Sequence, residues 1–139
     1  MSFREKSTWI TFVLLLVFLL YFGSVADHIV RPGHAHPNFG MLFLVLLASI
    51  VVTNVLLHII AARRSPADAR SPQDERERLI ALKAKRPAFY VVMIGAFLSL
   101  AVMHLRVGMW VMINATFFAI WLGALTDYGA QLYFYRRGT

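Results

Sequence analysis

The chain of 139 residues contains no cysteine. Disulfides, thiolate metal sites and cysteine nucleophiles are therefore excluded. Charge is scarce. Charged residues make up 15% of the chain, against about 25% in an ordinary soluble domain. There are seven acidic residues, and Asp127 alone lies well inside an apolar run. No glycine-rich phosphate loop, paired-histidine zinc motif or nucleophile elbow is present. The apolar runs are not interrupted at their centres, as the discontinuous helices of many transporters are.

What is abundant is hydrocarbon. The chain is 59% hydrophobic, with a mean hydropathy of +0.64. So much apolar surface is hard to bury in a small soluble core, whereas a bilayer accommodates it. At ~20 residues per span, four spans take up well over half of the chain. A single membrane domain over residues 1–139 is expected, partnered first by the lipid bilayer. The formal net charge is +7. In a soluble protein that charge would suggest nucleic acid. Here the basic residues flank apolar spans, where they set topology and meet anionic lipid. No nucleic-acid partner is expected.

One long polar run, residues 63–86, divides the sequence. It carries eight of the fourteen Lys and Arg residues. Apolar runs on either side predict spans at about 8–26, 39–62, 88–105 and 109–135. The first resembles a signal peptide in its basic flank and in Ser24-Val25-Ala26. Its length exceeds the usual apolar region of roughly 7–15 residues, so an uncleaved span is expected. The fold class that follows is an all-α membrane protein, with four transmembrane helices in two antiparallel hairpins.

Within the polar run, Ser71-Pro72-Gln73-Asp74 has the composition of a helix start. Asp74, Glu75 and Glu77 lie near that start and Lys83, Lys85 and Arg86 near the end, as the helix dipole prefers. A short surface helix over 72–85 is therefore predicted, with Leu79, Ile80 and Leu82 as its apolar edge. Pro87 marks a kink or a fresh helix start. With both termini and this segment on one side, that side holds Arg4, Lys6, the eight cations of the segment, Arg136 and Arg137. The other side holds Arg31 and Arg106. The positive-inside rule makes the first side cytoplasmic.

Three short stretches carry a resemblance. Glu5-Lys6-Ser7-Thr8-Trp9 precedes the first span, Asp74-Glu75-Arg76-Glu77 opens the surface helix, and Tyr135-Arg136-Arg137-Gly138 closes the fourth span. In layout and in these residues the chain resembles small four-span bacterial membrane proteins of uncharacterised function with a cytoplasmic Asp-Glu-Arg-acid motif. The resemblance implies a multi-pass protein of the bacterial inner (plasma) membrane. It implies no reaction.

Several side chains are candidates for chemistry. Asp27, His28, His34 and His36 in the first loop, with His104 at the outer end of the third span, form a candidate zinc or copper set. A solvated loop in which histidine is common explains them more simply, and that is the reading preferred. A haem between His58 and His104 does not fit one chain, because the two lie roughly 20–30 Å apart in depth. No cofactor is therefore expected.

Asp127 is different, since an intramembrane carboxylate is costly and usually faces a partner or a cavity. It belongs to a stripe, Ala115, Ala119, Gly123, Asp127 and Gln131, whose small members allow close helix approach. Asn54 and His58 reach a similar depth on the second span. An intramembrane polar cluster of Asn54, His58, Asp127 and Gln131 is expected, acting as helix–helix glue or as part of a proton path.

The function classes narrow accordingly. An accessory or regulatory subunit needs only packing faces and a charged cytoplasmic handle. Asp74, Glu75, Arg76 and Glu77 supply that handle as a docking helix, and the expected setting is a larger membrane complex or a homo-oligomer. A small homo-oligomeric transporter or channel, with Asp127 and His58 in an ion or proton path, is the alternative. Nothing in the sequence assembles an enzyme active site.

Overall fold

The computed structural model describes residues 3–31, 38–64, 74–105 and 108–137. They form four helices: α1 (Phe3–Val30), α2 (Phe39–Arg64), α3 (Glu75–His104) and α4 (Met109–Arg137). No strand occurs among the described residues. All four helices are long and apolar enough to cross a membrane. The 26 residues of α2, the shortest, span roughly 40 Å at 1.5 Å per residue, more than the ~30 Å hydrocarbon core requires. The chain is built as a multi-pass membrane protein. Contacts divide it into two units, Met1–Ser71 and Pro72–Thr139, and the division falls within the charged segment.

In the first unit α1 packs on α2. The contact is aromatic toward the end of α1. Phe18, Tyr21, Phe22 and Val25 are buried, with the Phe43 ring 6.2 Å from Phe18 and 5.5 Å from Tyr21. Asn38 opens α2 as its cap. Its side-chain Oδ1 accepts the Met41 N–H at 3.2 Å, and its backbone carbonyl accepts that of Leu42 at 2.8 Å. An Asn directly before an apolar run is a favoured helix start, because it satisfies donors the helix itself leaves open. The first helix runs further than the predicted 8–26. It reaches Val30, so Asp27 and His28 are helical rather than in a loop. Nothing breaks the helix before Pro32, and Asp27 pairs with Arg31 at 3.7 Å one turn on.

In the second unit α3 packs on α4 through small residues. Ile80, Ala84 and Ala88 form a buried line on α3, four residues apart. Gly95 continues it against Ala119, and Gly123 of α4 lies under Val92 and the Ala88 carbonyl. The stripe read from α4 is the stripe that meets α3 at Ala119 and Gly123. In a bilayer, lipid tails are as apolar as leucine, so close backbone approach replaces the hydrophobic effect as the source of affinity.

The separate surface helix is not what forms. Among the described residues α3 begins at Glu75 and runs without a break through Pro87 to His104. Asp74 directly precedes it, its carbonyl accepting the Arg78 N–H at 3.0 Å. Residues 71–73 lie outside the described residues. Proline removes one backbone donor and displaces one carbonyl. That loss does not end the helix, because the line Ile80, Ala84, Ala88 holds both sides of Pro87 to the same neighbour. The expected apolar edge also divides. Ile80 is 1% exposed, whereas Leu79 and Leu82 are 54% and 55% exposed.

Candidate functional site

The polar residues of the first unit form one connected group. Ser7 and Thr11 lie one turn apart on α1, and Asn54 and His58 one turn apart on α2. His58 Nδ1 lies 2.8 Å from the Asn54 backbone carbonyl. A carbonyl only accepts, so Nδ1 carries the proton. In the neutral ring that leaves the Nε2 lone pair facing Ser7, whose hydroxyl donates to it at 2.5 Å. One turn deeper, the Asn54 amide donates to Thr11 Oγ1 at 3.1 Å. Thr8, also buried, turns its hydroxyl to the Arg4 carbonyl at 2.9 Å.

These two cross-helix bonds are a clamp near the end of the pair formed by the start of α1 and the end of α2. The clamp makes a measurable prediction. In a double-mutant cycle of Ser7→Ala and His58→Leu, unfolding from mixed micelles should give a coupling of about 0.6 kcal/mol, with about 1.7 kcal/mol as the upper range for such bonds. Additive single effects would remove the bond.

The other half of the expected cluster lies on α4. Gln131 Nε2 donates to Asp127 Oδ1 at 3.1 Å, one turn away, and both side chains are half-buried. The sequence reading joins Asp127 to His58. The ring of His58 has both nitrogens engaged within its own helix pair, so its satisfaction does not require Asp127. Ser7 and Thr11 are the partners the sequence reading missed. Their signal was available: counted outward from the first loop, the pair Ser7/Thr11 and the pair Asn54/His58 fall at matching depth.

The histidines considered for metal do not form a group among the described residues. His34 and His36 lie outside those residues. The His28 ring packs on Phe39 at 5.1 Å. His104 Nδ1 donates to the Leu100 carbonyl at 3.3 Å. Asn114 is buried and donates to the Trp110 carbonyl at 2.9 Å, and Trp121 is buried in the same helix. At the far end of α4, Arg137 lies 4.9 Å from the Tyr133 ring centre.

Between α3 and α4 runs an open groove of about 380 Å³, floored by Gly95, Ser99, Ala115 and Ala119. Its one side-chain hydroxyl, on Ser99, is bonded to the Ala96 carbonyl at 2.8 Å. Binding pockets that orient a ligand combine apolar walls with a few convergent polar groups. This groove offers apolar walls, among them Ile94, Leu98, Phe118 and Leu122, over a floor of small residues, the kind of surface on which helices and acyl chains lie. No family model matches the chain, and neither a curated protein nor a solved structure matches it.

Proposed function

We propose that this is a small bacterial inner-membrane protein with both termini in the cytoplasm, acting as a non-catalytic accessory or regulatory subunit. The docking element in this reading is the start of α3, with Asp74, Glu75, Arg76 and Glu77 at its tip. One observation carries it. The segment is the outer part of a long helix, held to α4 by Ile80 and Ala84, yet it leaves Leu79 and Leu82 more than half exposed. A helix that needed its leucines only for its own packing would bury them. Anionic headgroups repel the acidic tip, so a protein partner in a larger membrane complex is the better recipient. The uneven distribution of Lys and Arg supports the orientation.

The test is to reverse Asp74, Glu75 and Glu77 to Lys, and separately to change Leu79 and Leu82 to Ser. The cytoplasmic charge excess is kept or strengthened, so expression and insertion should persist. A stoichiometric partner retained by the unchanged chain in mild detergent should be lost from both variants. Unchanged co-purification and growth would reduce the segment to a connector. A purified homo-oligomer without a second protein would favour the transporter reading, in which the Asp127–Gln131 pair and His58 take part in an ion or proton path.

A further inference from the structure

The outer face of α3 carries a second pattern, which overlaps the docking element at Arg76 and Leu79. Arg76, Leu79, Lys83, Arg86 and Tyr90 recur at intervals of three and four, so they share one strip of the helix. All five are exposed. The strip lies away from the packed line Ile80, Ala84, Ala88. Below Tyr90 it continues into Met93, Ile94 and Phe97, which are 39%, 60% and 66% exposed. Neither Lys83 nor Arg86 forms an ion pair among the described residues. No acid occurs between Arg78 and Tyr90.

Depth gives the strip its meaning. Taking Ala88, where the sequence places the start of the third span, as the edge of the hydrocarbon, Arg86 and Lys83 stand about 3 Å and about 8 Å outside it along the axis at 1.5 Å per residue. The headgroup layer outside the hydrocarbon is roughly 5–8 Å thick on each side. On that placement two cations with no ion-pair partner among the described residues fall in that layer, directly above a tyrosine and a run of exposed apolar side chains. Arg76 and the acids at Asp74 and Glu75 lie farther out, beyond the headgroups.

We infer that this face of α3 binds an anionic phospholipid. Lys83 and Arg86 receive its phosphate, the Tyr90 hydroxyl donates to a phosphate or glycerol oxygen, and the acyl chains lie along Met93, Ile94 and Phe97. The inference does not rest on the docking role of the acidic tip. It concerns a different ligand, held by Lys83, Arg86 and Tyr90, none of which the docking reading uses, and it holds for whichever leaflet that end of α3 enters.

The experiment is native mass spectrometry of the full chain in mild detergent, titrated with phosphatidylglycerol, with phosphatidylcholine or with inorganic phosphate. Phosphatidylglycerol adducts should persist and phosphatidylcholine adducts should not. Lys83→Gln with Arg86→Gln should weaken phosphatidylglycerol retention by roughly twenty-five-fold, at about fivefold per interfacial cation. Arg78→Gln with Lys85→Gln removes the same charge from another exposed side of α3 and should change retention less than twofold. All four side chains are exposed, so the variants should keep their fold, which circular dichroism checks. Equal loss in both double variants would show bulk charge in place of a site and overturn the assignment. So would equal retention of the two lipids, or displacement of phosphatidylglycerol by inorganic phosphate.

Discussion

Gly95→Leu is expected to force α3 away from α4. A Cβ at Gly95 would lie 2.5 Å from the Ala119 Cβ and 3.2 Å from its Cα. Neither atom can rotate aside, so the helices themselves must separate. Gly123 is constrained in the same way by Val92 and by the Ala88 carbonyl. Valine has essentially one χ1 rotamer in a helix, so its methyl cannot swing clear. Overpacking of this kind costs typically 1–3 kcal/mol. Replacing a helical glycine with alanine returns nearly 1 kcal/mol of helix propensity, which offsets only part of that clash. Leucine adds bulk without further propensity, and Gly95→Leu should lose about 2 kcal/mol or more. Gly23→Leu is the matched control, since a Cβ there meets nothing within 4 Å. Melting in detergent reads both. The chain has no native cysteine, so an introduced pair across α3 and α4 also reports separation by its cross-linking yield. Equal melting of the two leucine variants would mean that α3 and α4 do not meet at Gly95.

Ile80→Ala should be the most damaging truncation in the charged part of α3. Ile80 is 1% exposed, in line with fully buried Ala84. Removing a buried isoleucine side chain costs about 2–5 kcal/mol where the surroundings are water and the cavity does not collapse. Leu79→Ala and Leu82→Ala should stay within about 0.5 kcal/mol, as exposed substitutions do. Hydrogen exchange over 75–86 is the measurement. Ile80→Ala should expose these amides and leave the apolar part of the helix protected. If all three variants exchange alike, the segment is not packed on α4, and the argument from its exposed leucines fails with it.

Much of this was readable without coordinates. The four spans are legible because uninterrupted hydrocarbon of that length has few other uses. The stripe from Ala115 to Gln131 is legible because spacing by four places small residues on one face, and two of its members are in the α3 contact. On α3 the spacing of Gly95 and Ser99 marks a packing face in the same way, without naming its neighbour. Which helix they meet is a tertiary fact. Pro87 misdirects a local reading, since proline ordinarily ends a helix. The line Ile80, Ala84, Ala88 crosses it, and only packing on a neighbour makes that line decisive. For His58, searching for the nearest intramembrane acid overlooked ordinary hydroxyls. Serine and threonine are weak signals in a helix because they readily bond one turn back, as Thr126 does to Leu122 at 2.7 Å.

The second helix has a consequence for how the sequence can drift. None of its 26 residues is buried. Its attachment to α1 runs through a few positions, among them Phe39, Phe43, Asn54 and His58. Between them, selection has little to act on except solubility in hydrocarbon. Valine, leucine and isoleucine can exchange there with little effect on the fold. Descendants of this chain would then diverge fastest along α2 while remaining the same protein, and overall identity would understate their kinship. Asn54 and His58, one turn apart, with Ser7 and Thr11 at matching depth on the preceding helix, would be the marks by which such descendants are recognised.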